Sequence, residues 1–222
     1  MAIIARNTKG MKIKRSRLLF IVLVNVSTLI STNLFAQNPD IDLLKFINPR
    51  NPNSSYWKNT STSAYWVSGG VAIGTLIYGL ANDNEQAKHN AYETLISVGS
   101  AEVVTSLLKY TINRTRPADR YPNEVFVTSP SHKYSFPSGH TSLAFATATT
   151  LSLQYHKWYI TVPAYLWAGS VGYSRMYLGK HYPTDVLGGA AVGMGGAYAG
   201  HWLNKKIFSH YYNKGNSNKT YD

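Results

Sequence analysis

The sequence predicts an all-α protein, built as a bundle of five to six helices. Five segments carry apolar residues at helical spacing, and polar connectors with glycine or proline separate them. No convincing alternation of apolar and polar residues, which would indicate strands, competes with this pattern. The chain of 222 residues is long enough for one domain with a full core and too short for two large domains. We therefore expect one helical domain.

Residues 1–36 are predicted to be a signal peptide or an N-terminal membrane anchor. This segment has a basic start, an apolar run at 18–24 and a small-residue end at Ala36, and no acidic residue precedes Asp40. Cleavage after Ala36 is favoured, although Leu34 fits the small-residue rule poorly. The alternative is an uncleaved anchor whose basic end stays in the cytoplasm. We expect the rest of the chain in a bacterial cell envelope, either at the inner membrane with a periplasm-facing site or in the periplasm after cleavage.

The helical domain follows a polar loop segment at 37–62. This loop contains three Asn-Pro pairs, and one short helix is expected around Ile41–Phe46. The helical domain covers residues 63–208, and a polar tail covers 209–222. The five predicted helices span Ala64–Ala81, Ala91–Tyr110, Thr141–Tyr155, Trp158–Tyr173 and Thr184–Ile207.

The sequence alone leaves two environments open for the bundle. Residues 64–81 and 184–203 carry almost no charge and approach the roughly 20 residues that span a bilayer. If residues 18–35 remain as a first helix, six helices place Lys205 and Lys206 in the cytoplasm, as the positive-inside rule requires. The mean hydropathy of −0.20 is low for a protein mostly in hydrocarbon. A soluble bundle with close packing of glycine and alanine is therefore the alternative.

The formal net charge of +12 suggests a nucleic-acid-binding protein, but its distribution argues against one. From Gln37 onward the chain has 16 Lys and Arg against 10 Asp and Glu, an excess of +6 that is spread thinly. No basic stripe typical of nucleic-acid-binding domains is evident. The absence of cysteine excludes disulfides, thiolate metal ligands and a thiol nucleophile. A few cations that bind an anionic substrate explain the excess best.

Three clusters of phosphate-binding residue types lie between positions 109 and 185. In the first, Lys109 and Arg116 stand about two helical turns apart. Because Pro117 disfavours helical geometry at the residue before it, the helix is expected to end just before Arg116. Arg116 would bind two phosphate oxygens at once with its planar guanidinium group, and Lys109 would attract them as a point charge. The alternative is a helix end whose cations only complement the helix dipole.

The second cluster is Pro137-Ser138-Gly139-His140, directly before a helical run. Ser138 is expected to be the N-cap residue, and Gly139 lets the backbone approach a ligand closely. The free N–H groups at the helix start bind anions, so His140 would lie beside a bound anion. The alternative is an ordinary helix cap with an incidental histidine.

The third cluster combines Arg175 with His181 and Asp185. If a helix spans the last two, their separation by four residues places them on one face. Asp185 would then hold one ring nitrogen of His181 and leave the other free to attack phosphorus. A surface pair is one alternative, and a zinc site is another that the three nearby cations disfavour. Chemistry alone does not decide which histidine attacks, but the pairing with Asp185 favours His181 over His140.

Together, the clusters resemble the three signatures of the superfamily that joins type 2 phosphatidic acid phosphatases, bacterial class A acid phosphatases and vanadium haloperoxidases. The matching positions are Lys109, Arg116, Pro117, Pro137 to His140, Ser174, Arg175, His181 and Asp185. The matched region, 109–185, is about a third of the chain. The resemblance implies an acid phosphatase/vanadium haloperoxidase-like helical bundle and a metal-independent phosphohydrolase that needs no cofactor.

The resemblance also implies a role for each residue. His181 forms a phosphohistidine, Asp185 orients His181, and His140 protonates the leaving oxygen. The phosphoryl oxygens are bound by Lys109, Arg116, Ser138, Gly139 and Arg175.

The expected substrate is a phosphate monoester or pyrophosphate, with phosphorylated lipids at a membrane ahead of small soluble phosphomonoesters. The alternatives are a soluble, broad-specificity periplasmic acid phosphatase and a non-catalytic module that binds anions or lipids. Glu102, seven residues before Lys109, is interpreted as a helix partner or a bundle-facing acid. Neither the head group nor the oligomeric state follows from the sequence.

Overall fold

Seven helices and no strand make up the part of the chain that the structure, a computed structural model, describes. That part comprises residues 37–129 and 134–208. The helices are α1 (Gln37–Ile47), α2 (Ser55–Ala81), α3 (Glu85–Ile112), the single turn α4 (Pro117–Arg120), α5 (Gly139–Tyr155), α6 (Trp158–Tyr177) and α7 (Pro183–Ile207). The prediction of an all-α bundle is confirmed. The predicted signal peptide or anchor at 1–36 and the polar tail at 209–222 lie outside the described residues.

Two helices begin earlier than the sequence predicts. Helix α2 begins at Ser55 rather than Ala64, because the Ser54 hydroxyl accepts the Trp57 N–H at 3.5 Å. Helix α3 begins at Glu85, because the Asn84 side chain accepts the Ala87 N–H at 2.9 Å. Such caps satisfy free donors of a first turn. Both first turns are polar, so apolar periodicity does not reveal them, and the loop between α1 and α2 covers only residues 48–54.

Helix α7 packs against α3 and α5 along a row of glycines. A Cβ atom at Gly193 would lie 2.3 Å from the Ser142 carbonyl oxygen on α5. A Cβ atom at Gly200 would lie 2.2 Å from the Ser97 hydroxyl oxygen on α3. Only glycine permits such close approach of two backbones. The contact brings the end of α3 and the starts of α5 and α7 to the same end of the bundle.

The polarity of the bundle is reversed relative to a water-soluble protein. Its interior is rich in small hydroxyl residues that bond across helices, as Thr105 does to Ser142 at 2.9 Å and Thr147 to Ser68 at 2.6 Å. The outer surface instead exposes large apolar side chains: Ile73 59%, Leu107 61%, Leu166 67% and Leu187 69% exposed. Two helical stretches, Ser55–Ala81 and Glu85–Arg120, are long and apolar enough to cross a membrane by length and composition. The predicted stretch at 184–203 is not one of them.

Candidate active site

One cavity of about 630 Å³ gathers residues from all three sequence clusters. It opens at the end of the bundle where α3 ends and where α5 and α7 begin. Its walls carry the predicted site residues Lys109, Arg116, Gly139, His140, Arg175 and His181. Five further residues line it, namely Tyr65, Glu102, Ser106, Tyr110 and Tyr134. Ser138 and Asp185 are buried and do not line the cavity.

The first cluster lies where α3 ends. Asn113 adopts a left-handed conformation with φ 51°, which terminates the helix and turns the chain toward Arg116. Lys109, in the last turn, donates to the backbone carbonyls of Tyr134 at 3.1 Å and Pro137 at 2.7 Å. Arg116 donates to the Lys180 carbonyl at 2.7 Å, and its Nη1 lies 3.4 Å from His181 Nε2. The expectation that Arg116 extends from the helix end agrees with this geometry.

The second cluster forms the start of α5. Ser138 is the N-cap residue, as predicted, but its side chain makes no capping hydrogen bond. Its hydroxyl instead accepts a hydrogen bond from Thr141 at 2.9 Å, and its backbone N–H donates to the Asp185 carbonyl at 2.9 Å. The next residues, Gly139 and His140, face the cavity. The His140 ring packs edge-on against Tyr65, with ring centroids 4.7 Å apart.

The third cluster brings His181 and Asp185 together without a shared helix. Helix α7 begins at Pro183, so His181 lies in the connector before it. Asp185 reaches back, as its carboxylate accepts the Tyr182 N–H at 2.9 Å in a capping box. This places Asp185 Oδ2 3.4 Å from His181 Nδ1. The distance is too long for a strong hydrogen bond, so the contact is mainly electrostatic.

Burial determines the protonation of His181. The side chain is almost fully buried, and this burial lowers the pKa of His181 to about 3. This pKa already reflects Asp185, which raises it, and the nearby Arg175, which lowers it; the effect of burial is the largest of the three. The ring is therefore neutral near pH 7, and Nε2, the nitrogen on the cavity side, keeps a lone pair.

Arg175 supplies a buried cation at the floor of the cavity. One terminal nitrogen donates to the Ser61 hydroxyl at 2.5 Å. The Nε atom is buried and has no hydrogen-bond partner among the described residues. A buried donor without a partner is costly, so a group that accepts a hydrogen bond from this N–H would stabilise the site.

Comparison with known proteins identifies the family. The sequence profile of the PAP2 superfamily matches residues 91–209, more than half of the chain. The chain belongs to the PAP2 superfamily. The resemblance found in the three clusters is thereby confirmed.

Individual PAP2 proteins resemble this chain over part of their length. A lipid A 1-phosphatase of Porphyromonas gingivalis is 39% identical over 103 residues, which cover 45% of this chain and 20% of the relative. An undecaprenyl-diphosphatase of Sulfolobus acidocaldarius is 35% identical over 100 residues, covering 45% of this chain and 48% of the relative. The matches thus span half or less of these two relatives.

Two solved PAP2 structures share the fold. The crystal structure of LpxE from Aquifex aeolicus superimposes with a TM-score of 0.59 at 31% identity, over 72% of this chain and 93% of that one. A transmembrane PAP2-type phosphatidylglycerolphosphate phosphatase from Bacillus subtilis gives a TM-score of 0.63 at 22% identity. That alignment covers 88% of this chain and 98% of the other. The fold is therefore one that a transmembrane protein also adopts.

Three residues behind the PAP2 site were not predicted from the sequence. Arg114 donates to Asp185 Oδ1 at 2.7 Å and to Asp40 Oδ2 at 2.6 Å. The Ser135 hydroxyl donates to Asp185 Oδ2. Asp40, on α1, also accepts the Thr184 N–H at 3.0 Å. Arg114 stands inside the first cluster, which is the only sequence signal that could have drawn attention to it.

A fourth cation, Lys180, lies next to the PAP2 site. Burial, together with the charges of Arg175 and Arg116, lowers the pKa of Lys180 to about 8. Its amine donates to the Ser129 carbonyl and, at 3.1 Å, to the Ser129 hydroxyl. It therefore fixes the segment after α4 beside the site. Among the described residues, no group of three or more His, Asp or Glu side chains could hold a metal ion.

Proposed function

We propose that this PAP2 protein is a metal-independent phosphatase that hydrolyses lipid-linked phosphate monoesters or pyrophosphates through a phosphohistidine. One observation carries the proposal: a single cavity holds three cations and two imidazole rings, with a carboxylate behind one ring. Three fixed cations complement a phosphate dianion and the charge that develops during its transfer. A non-catalytic module would need the cations but not two histidines and Asp185.

Substrate binding depends on positive charge and on the start of α5. Lys109, Arg116 and Arg175 face the cavity and attract the phosphoryl oxygens. The Gly139 N–H, at the first turn of α5, adds a backbone donor. The buried Ser138 is the least exposed member of the proposed set and does not line the cavity, and its hydroxyl accepts a hydrogen bond from Thr141. It can contact a phosphoryl oxygen only if the start of α5 rearranges when substrate binds.

In the first chemical step, His181 Nε2 attacks phosphorus and forms the nitrogen–phosphorus bond. The bond from phosphorus to the leaving oxygen breaks, and its electron pair goes to that oxygen. His140 gives the leaving oxygen a proton, as a general acid. Burial and the nearby cations lower the pKa of His140 to about 2, so the negative charge of the bound phosphate has to raise this pKa for the ring to carry that proton. Asp185, 3.4 Å from His181 Nδ1, stabilises the positive charge that develops on the His181 ring.

In the second step, water attacks phosphorus while His140 takes one of its protons. The nitrogen–phosphorus bond breaks, and His181 returns to its neutral form as inorganic phosphate leaves. Each proton that His140 gives in the first step is regained in the second. The pair of steps is therefore balanced without a metal ion or a cofactor.

The proposed substrates are lipids because of the reversed polarity of the bundle. A large exposed apolar surface is stable in hydrocarbon and aggregates in water. A soluble periplasmic acid phosphatase would place polar side chains outward, so this alternative is not favoured. Lys205 and Lys206 lie in the last turn of α7, and Asp185 lies in its first turn. By the positive-inside rule, this charge distribution supports a site at the outer face of the inner membrane.

The test is phosphate release by the purified protein in detergent, with EDTA present, from phosphorylated lipids and from para-nitrophenyl phosphate. We expect release from both and a higher kcat/KM for lipids. His181→Ala should release no phosphate and take up no label from a radioactive phosphomonoester. His156→Asn is the control, because His156 caps α5 with φ 51°, a conformation that asparagine tolerates. A labelled His181→Ala protein would contradict the role of His181.

Membrane attachment has its own test. After cell fractionation, the protein should stay with membranes through an alkaline carbonate wash and leave them only with detergent. Release without detergent would contradict the integral-membrane part of the proposal.

A further inference from the structure

Helix α2 contributes to the site, although it lies outside the region of the family match, which begins at residue 91. Two of its residues, one helical turn apart, contact predicted site residues. The Ser61 hydroxyl accepts a hydrogen bond from Arg175 at 2.5 Å, and the Tyr65 ring packs edge-on against His140. The face of α2 that carries Ser61 and Tyr65 is therefore turned toward the site.

Ser61 occupies a buried position on a regular helix. Its relative exposure is 3%, and it lies in the polar first part of α2, where apolar periodicity indicated no helix. Because the cap at Ser54 starts the helix at Ser55, the backbone at Ser61 is already helical. The hydroxyl that contacts Arg175 is therefore held by ordered backbone rather than by a loop.

The contact with Ser61 engages only one part of the Arg175 guanidinium group. An arginine can donate to two oxygens of a phosphoryl group with the edge that Nε and Nη2 form. Ser61 accepts from Nη1, which is not part of that edge, and Nε has no hydrogen-bond partner among the described residues. Ser61 thus orients the guanidinium group and leaves this edge for a phosphoryl group.

A neutral partner keeps the charge of Arg175 available. Arg114, which does not line the cavity, pairs with two carboxylates at 2.6 and 2.7 Å. Arg175 lines the cavity and forms no ion pair in the described part of the chain. A carboxylate beside Arg175 would cancel part of the positive charge that attracts a phosphoryl group. A hydroxyl orients the guanidinium group without changing that charge.

We propose that Ser61 is a positioning residue for the phosphatase reaction, because its hydroxyl holds Arg175 in the orientation that stabilises the transferred phosphoryl group. Within residues 37–129 and 134–208, this is the only hydrogen bond of the Arg175 side chain. Ser61 does not line the cavity and acts through Arg175. The inference rests on the proposed function and adds a residue that none of the three sequence clusters contains.

The experiment measures kcat, KM and the inhibition constant of orthovanadate, with para-nitrophenyl phosphate as substrate. Vanadium accepts five ligands, as phosphorus does in the transition state, so orthovanadate reports on the groups that contact the transferred phosphoryl group. Ser61→Ala should lower kcat and raise the inhibition constant about 10- to 100-fold, the range typical of residues that orient a functional side chain. KM should change little. Ser61→Thr keeps the hydroxyl and should stay close to the wild type in both values.

Ser63→Ala is the matched control, because it makes the same change two residues further along α2. The Ser63 hydroxyl accepts the Trp167 N–H at 3.0 Å, and this bond joins α2 to α6 just as the bond from Arg175 does. Its loss affects only the contact between the two helices, so kcat and the inhibition constant should not change. An unchanged inhibition constant in Ser61→Ala, or an equal rise in Ser61→Thr or in Ser63→Ala, would overturn the inference.

Calorimetric titration with orthovanadate separates the inference from the proposed function, because it needs no turnover. The Kd should be higher for Ser61→Ala than for the wild type and for Ser63→Ala. If the wild type bound orthovanadate but released no phosphate, the proposed function would be wrong, and the Kd of Ser61→Ala would still decide the role of Ser61. A wild type that neither bound orthovanadate nor released phosphate would contradict both.

Discussion

Arg114 joins Asp185, the carboxylate behind His181, to Asp40 on α1. Its two terminal nitrogens donate separately, to Asp185 Oδ1 at 2.7 Å and to Asp40 Oδ2 at 2.6 Å. The first bond fixes the plane of the Asp185 carboxylate, so that Oδ2 faces His181 Nδ1. Arg114 touches neither the cavity nor the reacting atoms, and we infer that it is a positioning residue.

Arg114→Lys should reduce kcat about 10- to 100-fold with little change in KM, the range typical of residues that orient a functional side chain. Lysine keeps the positive charge but lacks the planar guanidinium group, whose two nitrogens donate to Asp185 and Asp40 at the same time. The measurement is steady-state kinetics with para-nitrophenyl phosphate and a lipid phosphate. Arg120→Lys is the control, because Arg120 is exposed and lies 5.9 Å over the Tyr121 ring. An unchanged kcat in Arg114→Lys would show that the network does not position Asp185.

Asp40 tests whether the positioning extends beyond the region of the family match, which begins at residue 91. Asp40→Asn removes the charge that holds the second nitrogen of Arg114, so kcat should fall severalfold, less than in Arg114→Lys. Asp42→Asn, on the same helix, is the matched control. Asp42 is exposed, and its carboxylate lies 3.6 Å from the Lys45 amine, which is long for an ion pair. The loss of this weak contact should therefore have no effect on kcat. Equal kinetics for the two variants would exclude Asp40 from the network.

The effect of His140→Ala should depend on how strongly the leaving group needs a proton, which distinguishes the role of His140 from that of His181. General acid catalysis contributes about 10²- to 10⁴-fold, so turnover of a poor leaving group should fall by that factor. A good leaving group such as para-nitrophenolate needs no proton, so formation of the phosphoenzyme from it should fall far less. Rapid-quench labelling with both substrates measures this difference. If both substrates lost the same factor in the labelling step, His140 would not be the general acid.

Most of the fold and of the candidate site could be predicted because local patterns encode them. Apolar periodicity found the five long helices, and the clusters found six residues that line the cavity. The polar first turns of α2 and α3 were missed, because capping by Ser54 and Asn84, not apolar spacing, sets those starts.

The network behind the site could not be predicted, because its members are far apart in sequence. Asp40 and Arg114 are 74 positions apart, and Ser135 and Asp185 are 50 apart. No spacing rule relates such positions before the chain is folded. The same holds for Glu102, which was interpreted as a helix partner or a bundle-facing acid: its place on the cavity wall depends on how the helices pack.

The buried neutral ring of His181 should make the stability of the protein depend on pH. Burial lowers the pKa of His181 to about 3, whereas an unfolded chain has a histidine pKa of about 6.5. Between these values the unfolded state binds a proton that the folded state does not. This group therefore leaves stability unchanged above pH 6.5 and reduces it as pH falls from 6.5 toward 3.

The measurement is the Tm in detergent at pH 7 and at pH 4.5, for the wild type and for His181→Gln. Glutamine does not titrate, so the variant should lose less Tm on acidification than the wild type. Equal losses would show that His181 is not held neutral by the fold.

Close packing of α7 on α5 should make Gly193 far more sensitive to substitution than Gly195, two residues away. A Cβ at Gly193 would lie 2.3 Å from the Ser142 carbonyl oxygen and 2.9 Å from the Ala146 nitrogen, both backbone atoms that cannot move aside. Gly193→Ala should therefore destabilise the protein by about 1–3 kcal/mol, the usual cost of overpacking. Gly195 has no atom within 4 Å of its Cβ position, so Gly195→Ala should stabilise the helix by about 0.5–1 kcal/mol. Thermal unfolding of the two variants in the same detergent measures both effects. A similar Tm for the two variants would mean that α5 and α7 are not packed as closely as their backbones indicate. The close packing would then not explain why the end of α3 and the starts of α5 and α7 meet at the site.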